Sequence, residues 1–416
     1  MTTHHVPLAR HLEPRVREAL ADTPAVLIHG ARQSGKTTLA KHIGASMGYR
    51  YVSFDDPSNV EFAQSDPLGF VRTLPPRTIL DEVQRVPGLF TSLKLLIDQD
   101  RQPGRFLMTG SANVMLVPRL ADSLAGRIEI LQLRPLSQAE LAGTQPTLID
   151  DAFAATLSPT RLAQQTPSLA DRIVAGGYPV PHTMKSAAQR RWYANHARTI
   201  AERDVKDLAR IRALDSLPRL LEHASAHTSG LVNFTSVAEA LGLSRPTAQD
   251  YVTLLEHVFV LDTLRPWSRN ATSRMVKAAK LHIGDTGLAA GLLGLDAESL
   301  AADRPLYGRF AETFVVQELK RLASGAEEPT SFSHFRDRDN YEVDIVLERG
   351  PRRIVGVEVK TAASVTGKDF RGLRKLREIA GDSFKAGVVL YDGTFGYRHD
   401  ENLWALPISM LWEAPE

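Results

Sequence analysis

No cysteine occurs among the 416 residues. Disulfides, thiolate zinc sites and a cysteine nucleophile are therefore excluded. No apolar run is long enough to span a bilayer. Met1 to His11 lacks the apolar stretch of a signal peptide, so a cytoplasmic protein without a membrane partner is expected. Net charge is scarce too: 50 basic against 48 acidic residues leave +2. Any surface that attracts a polyanion must then be local. The composition that remains, 43% hydrophobic and 24% charged, is that of a soluble globular protein. Its length exceeds one ordinary core, and two to four domains are expected.

The organising stretch is Gly30-Ala31-Arg32-Gln33-Ser34-Gly35-Lys36-Thr37, between the apolar run Ala25 to Ile28 and a helix-forming segment from Thr38 to His42. Strand, glycine loop and helix in this order, with Gly-x-x-x-x-Gly-Lys-Thr spacing, form a phosphate-binding loop. The glycines let backbone N–H groups turn toward a polyphosphate, and the helix start adds partial positive charge. Lys36 is placed for the β- and γ-phosphates and the Thr37 hydroxyl for Mg²⁺. Residues Gly30 to Thr38 are thus expected to bind ATP.

Three further strands follow. Arg50 to Asp56 ends in two carboxylates at the edge that faces ligand in open α/β sheets. Asp55 or Asp56 there serves Mg²⁺ or a water, or else simply opens the turn Asp56-Pro57. Arg77 to Glu82 is an apolar run ending in Asp-Glu, about forty residues after the loop. Asp81 is expected on the Mg²⁺ side and Glu82 as the base that polarises the attacking water. Arg105 to Ser111 ends in hydroxyls, with Ser111 near the γ-phosphate. Arg127 opens a last strand, Ile128 to Leu133. At that place a ring-forming ATPase presents an Arg to the neighbouring subunit's site; the alternative is an Arg paired with a local carboxylate such as Asp122.

Gly30–Thr37, Tyr51–Asp56, Leu80–Gln84, Thr109–Ser111 and Ser123–Arg127 with Pro135-Leu136-Ser137 resemble one family. It comprises the bacterial and archaeal AAA-type ATPases that carry a C-terminal domain of unknown function. The resemblance covers nearly the whole chain and implies ATP binding and hydrolysis, without a known biological task; Mg²⁺ and a homo-oligomer are expected from the motifs above.

Pro135 to Pro181 mixes helical patches with breakers and reads as a lid or connector; Arg172 is its candidate second sensor. Gln189 to Arg212 is a charged helix, in which the family resemblance marks Tyr193, Glu202, Arg203 and Asp204. Ser236 to Leu264 gives helix, turn at Gly242, helix and strand, with Ser244 capping and Pro246 in the first turn. That is the order of a winged helix-turn-helix. In a DNA-binding version Arg245, Thr247, Ala248 and Gln249 would meet the groove. Arg265, Arg269, Arg274, Lys277 and Lys280 would form a basic wing. The alternative is a protein-packing module with a solvated loop.

Gly308 to Leu319 is an amphipathic helix. Strand-like segments Ser331–Arg336, Tyr341–Glu348 and Ile354–Lys360, a basic helix from Asp369 to Ala380 and a strand from Ala386 to Tyr391 follow. Asp344 and Glu358 end neighbouring strands, and Glu358 and Lys360 share a strand face. Converging carboxylates hold Mg²⁺ against a phosphate while a lysine orients water; Glu312 would complete the metal shell. This Asp, then Glu-x-Lys, resembles the restriction-endonuclease-like nucleases. The alternative is a retained fold in which Lys360 merely salt-bridges Asp344 or Glu358.

The sequence therefore predicts an α/β multi-domain chain. Its parts are an AAA-type P-loop domain (1–140), a helical lid or connector (141–215), a winged helix-turn-helix (216–300) and a restriction-endonuclease-like domain (301–416). Two functions fit it: an ATPase that couples nucleotide state to DNA binding or cutting, or a nucleotide-switched signalling or scaffold ATPase whose nuclease-like site is inactive.

Overall fold

The computed structural model describes residues 8–111, 126–163, 166–200, 216–269 and 278–413. Arg274, Lys277, Asp122 and the Glu202-Arg203-Asp204 motif lie outside them. The chain forms two compact units. One comprises Met1–Pro135 with His257–Phe259, the other Leu136–Glu256 with Val260–Glu416.

The first unit runs α1 (Glu13–Asp22), β1 (Ala25–His29), α2 (Lys36–Met47), β2 (Arg50–Ser53), α3 (Pro57–Ser65), α4 (Pro67–Thr73), β3 (Thr78–Asp81), α5 (Leu89–Gln99), β4 (Phe106–Gly110) and β5 (Ile128–Gln132). The strands form one parallel sheet in the order β2-β3-β4-β1-β5. A parallel sheet is covered on both faces, so its strands are apolar throughout rather than alternating. β1 shows this. Ala25 and Leu27 pack with Leu80, Phe106, Met108 and the α5 residues Phe90, Leu93 and Ile97. Val26 and Ile28 pack on the other face with Val16, Leu39, Ile43 and Leu107. Each such burial contributes about 1.5–3 kcal/mol. All strands run the same way, so His29, Ser53, Asp81 and Gly110 end at one edge of the sheet.

In the second unit a ten-stranded sheet has the order β6-β14-β15-β13-β12-β11-β10-β8-β9-β7. These strands are β6 (Thr160–Arg161), β7 (Gly230–Leu231), β8 (Leu261–Pro266), β9 (Lys280–Ile283), β10 (Ser331–Arg336), β11 (Glu342–Arg349), β12 (Arg353–Lys360), β13 (Phe384–Tyr391), β14 (Phe395–Asp400) and β15 (Leu403–Pro407). β10, β11 and β12 are antiparallel neighbours, whereas β12, β13 and β15 are parallel. The basic helix Arg371–Ala380 buries Leu373, Leu376 and Ala380 against Val343, Val346, Ile354 and Val389. The long helix Arg304–Ala323 buries Phe310, Phe314, Val315, Val316 and Leu319.

The helices Phe234–Leu241 and Arg245–His257 flank Gly242, which takes φ 67° as a left-handed C-cap. Ser244 Oγ accepts the Thr247 N–H at 3.3 Å. β8 and β9 then pair antiparallel, and β7 adds to β9. β8 also pairs in parallel with β10, Arg265 opposite Ser333, so this hairpin is part of the large sheet.

Candidate functional site

The loop Gly30 to Gly35 joins β1 to α2. At Gly30, φ is 151° and an added Cβ would stand 2.1 Å from the Leu133 carbonyl oxygen, so no side chain fits. Gly35 takes φ 101°. Both conformations are available to glycine and disfavoured for other residues. Lys36 Nζ donates to the Gly30 and Ala31 carbonyl oxygens at 3.0 and 2.8 Å, and its side chain is buried. No side chain caps α2, which leaves its first-turn N–H groups to face an anion. The buried Ser34 Oγ has no hydrogen-bond partner among the described residues.

Asp81 ends β3 and collects three hydroxyls. Thr37 Oγ1 donates to Oδ1 at 2.8 Å, Thr109 Oγ1 to the same oxygen at 2.5 Å, and Tyr51 Oη to Oδ2 at 2.7 Å. Burial pushes the Tyr51 phenol up to about 12, and its bond to Asp81 works in the same direction. Glu82 leaves the strand with φ 61°, ψ 44°, a conformation rare outside glycine and frequent at functional sites. Its N–H donates to Thr109 Oγ1 at 3.1 Å. Its carboxylate accepts from Gln84 Nε2 and, at 3.2 Å, from Ser111 Oγ. Gln84 Nε2 also reaches Ser111 Oγ at 2.9 Å.

The loop, Lys36, Thr37, Asp81, Glu82 and Ser111 thus meet at one sheet edge. An uncapped helix start, a buried lysine resting on loop carbonyls and a hydroxyl beside a carboxylate fit a polyphosphate with Mg²⁺. Gln33 and Thr38 are exposed and Arg32 half-buried on this loop. Asp55 and Asp56 serve elsewhere: Asp55 pairs with Arg85 at 2.7 Å, and Asp56 caps α3 by accepting the Ser58 N–H. Arg127 pairs with Asp98 of its own chain, Nε to Oδ1 at 2.5 Å and Nη2 to Oδ2 at 3.0 Å. The pair holds the exposed Asp98 carboxyl below its ordinary value.

The roles of Tyr51 and Gln84 and one further partner, Arg10, are not foreseen by the sequence reading. Arg10 Nη1 donates to the Ser34 carbonyl oxygen at 2.9 Å and Nη2 to that of Arg134 at 2.7 Å. It precedes α1 by a few residues, and nothing local marks it as a partner of the loop.

In the second unit, Glu312, Asp344, Glu358 and Lys360 do come together. Lys280 comes with them, which corrects its expected place on a basic wing. Lys280 Nζ lies 2.8 Å from Glu312 Oε1, 2.7 Å from Glu342 Oε1 and 3.1 Å from Asp344 Oδ1. Its side chain is only 4% exposed. Asp344 Oδ2 accepts the Val359 N–H at 3.0 Å, and Glu358 Oε2 the Asp344 N–H at 3.4 Å. Lys360 Nζ sits 2.9 Å from Glu358 Oε1. Burial, then the Asp344 charge, pushes Glu312 and Glu358 each up to about 8. Burial opposes the Lys280 charge, but Asp344, Glu312 and Glu342 outweigh it and raise its pKa. A divalent metal does not fit this set, because the Lys280 ammonium already stands where the carboxylates converge. Among the described residues no three His, Asp or Glu side chains are arranged to hold a metal ion.

One other expectation is corrected. Ala248 is fully buried and cannot reach a nucleic-acid groove. Arg172 donates to Gln138 Oε1 at 2.8 Å and lies over the Trp412 ring. Tyr193 is buried and donates its hydroxyl to the Ala175 carbonyl oxygen. Among the described residues no helix is long and apolar enough to cross a membrane.

Residues 22–142 match the family described as AAA domain. With the parallel sheet and the phosphate loop, this identifies residues 22–142 as an AAA-type P-loop domain. Residues 166–299 and 307–411 each match a domain of unknown function (DUF8612 and DUF4143). An uncharacterised protein of Mycobacterium tuberculosis is 31% identical over 408 residues, 97% of this chain and 84% of that protein. An uncharacterised protein of Mycobacterium bovis matches to the same extent. The chain belongs to the family of these mycobacterial proteins. Among solved structures, the Walker-type ATPase of Pyrococcus abyssi is 17% identical, covering 69% of this chain and 96% of its own, with a TM-score of 0.38.

Proposed function

We propose that the chain hydrolyses Mg-ATP at the sheet edge of its first unit, with Glu82 as the base. The carrying observation is the network in which Asp81 Oδ1 accepts from both Thr37 and Thr109 while Glu82 is turned out of the strand beside them. Loop N–H groups and Lys36 would bind the phosphates, and Thr37 with Asp81 would hold Mg²⁺. When bound, Mg²⁺ neutralises charge on the phosphate oxygens. Glu82 accepts a proton from water as its oxygen bonds to the γ-phosphorus and the bond to ADP breaks. Gln84 and Ser111 would hold the Glu82 carboxylate between turnovers, and Ser111 would register the γ-phosphate. Arg127 would stabilise the transition state of a neighbour in a homo-oligomer once its pair with Asp98 opens.

Glu82→Gln keeps the side-chain volume but cannot take a proton. It should leave ATP affinity within a few-fold and lower the turnover rate by about 10²–10⁴-fold. Nucleotide titration alongside phosphate release checks this. Unchanged release would remove Glu82 from the role of base.

We further infer that the two helices at 234–257 and the β8–β9 hairpin act as a winged helix-turn-helix that contacts DNA. The support is the exposure of Arg245, Gln249, Arg265 and Arg269 on this segment. Neutralising Arg245, Arg265 and Arg269 together should weaken duplex binding at all sequences. The slope of log affinity against log salt should fall by about 0.9 for each phosphate no longer neutralised. An unchanged slope in a salt-varied gel shift favours the protein-binding alternative. The restriction-endonuclease-like reading of the second unit is kept for its fold only. The occupied carboxylate cluster supports an ATPase whose C-terminal region binds rather than cuts.

A further inference from the structure

We propose that Lys280 is itself the cation of the carboxylate cluster formed by Glu312, Glu342, Asp344 and Glu358, and that this site takes no divalent metal ion. An ammonium carries three protons, and Lys280 Nζ meets three carboxylates within 3.1 Å. Two of these contacts are hydrogen bonds, to Glu312 Oε1 and Asp344 Oδ1, and the third is an ion pair with Glu342. Other oxygens of the cluster are committed as well: Asp344 Oδ2 to Val359 N–H, Glu358 Oε2 to Asp344 N–H and Glu358 Oε1 to Lys360.

Mg²⁺ binds through near-octahedral oxygen sets and keeps several waters. Here Lys280 stands at the point where the carboxylates converge, and the cluster is largely buried. A metal ion could enter only by displacing the ammonium or by sitting against it, and like charges in a poorly solvated site repel strongly.

The ammonium cannot simply swing away. Lys280 begins β9, where its backbone lies opposite Leu264 on β8 and Leu231 on β7. The next residues are fixed too: His282 Nδ1 lies 3.0 Å from Thr313 Oγ1, and the Ile283 N–H donates to Thr228 Oγ1 at 3.1 Å. β9 fixes where the side chain starts, and the three ion pairs and the burial of the side chain hold its ammonium. The lysine therefore works as a fixed cation that ties β9 to the helix Arg304–Ala323 and to β11.

The test uses full-length, nucleotide-free protein with Mn²⁺ as probe, followed by the paramagnetic signal of free Mn²⁺. Wild type, Asp344→Asn and Glu358→Gln should take up the same Mn²⁺, because the cluster contributes none. Lys280→Met keeps the length and removes the charge. It should gain one Mn²⁺ per chain, and that gain should vanish in Lys280→Met/Asp344→Asn. Wild-type uptake that survives Thr37→Ala and is lost in Asp344→Asn or Glu358→Gln overturns the proposal. So does a folded Lys280→Met protein that gains nothing, since the ammonium would then not be what excludes the metal. If Lys280→Met does not fold, the comparison of wild type with Asp344→Asn and Glu358→Gln decides alone.

Discussion

Lys36→Ala protein is expected to lose ATP turnover by about 10²–10³-fold, the scale for removing one preorganised charge stabiliser, and to lose ATP affinity with it. The ammonium is buried and rests on the Gly30 and Ala31 carbonyl oxygens. A phosphate offers an anionic acceptor in place of two neutral ones, which adds the attraction of opposite charges in a poorly solvated site. Alanine removes that donor from both ground and transition states, so both affinity and rate should fall. The fold should suffer little. Two hydrogen bonds from a charged donor are worth about 3–6 kcal/mol, but alanine also relieves the cost of burying the ammonium, and the core on either face of β1 does not depend on Lys36. Phosphate release at saturating ATP, measured together with the thermal transition, separates loss of function from loss of structure. Turnover at the wild-type rate would remove the loop from the catalytic account.

Arg321→Met is expected to destabilise the second unit by about 3–5 kcal/mol, the range for leaving a buried charge without its partner. Arg321 is 4% exposed and sits between Asp285, at 2.9 Å from Nη2, and Glu318, at 2.7 Å from Nη1. Its Nη1 also donates to the Leu136 carbonyl oxygen. The two acids have further duties. Asp285 caps the helix Thr286–Leu293 and accepts the Gly177 N–H, while Glu318 accepts the Gln138 N–H. Methionine fills the space but leaves both carboxylates buried without a cation, and burial already raises the Glu318 pKa. Lysine should rescue only in part, because one ammonium cannot reproduce a fork that bonds two acids and a carbonyl. Adding Glu318→Gln and Asp285→Asn should recover part of the stability. The thermal transitions of the full chain follow each variant; an unshifted second-unit transition in Arg321→Met would show that the network contributes nothing.

Much of the nucleotide site is legible in the sequence because its parts are local. The loop is eight consecutive residues, and Asp81 with Glu82 ends an apolar run. A short stretch therefore carries both the chemistry and the backbone geometry that presents it. What escapes is contributed across the sheet. Tyr51 reaches Asp81 only because β2 lies beside β3, and Arg10 reaches the loop from before α1. In the second unit the spacing reveals Asp344, Glu358 and Lys360, but not their state. Lys280 lies 64 residues before Asp344 in a stretch rich in cations, and composition does not distinguish a lysine that will be buried from its solvated neighbours. The short pattern Lys-Leu-His-Ile does not reveal that β9 is buried along its whole length. Ala248 escapes for the related reason that a helix start with polar neighbours still turns one residue inward.

The parallel pairing of β8 with β10 bears on how this protein can be dissected. The two regions of unknown function end and begin at residues 299 and 307, which invites cutting the gene there. Yet Arg265 and Pro266 of one half share a backbone ladder with Ser333 and His334 of the other. Cleavage would bare a raw strand edge on each fragment, the kind of surface that recruits other chains and precipitates. The halves should be expressed, stored and assayed as one piece.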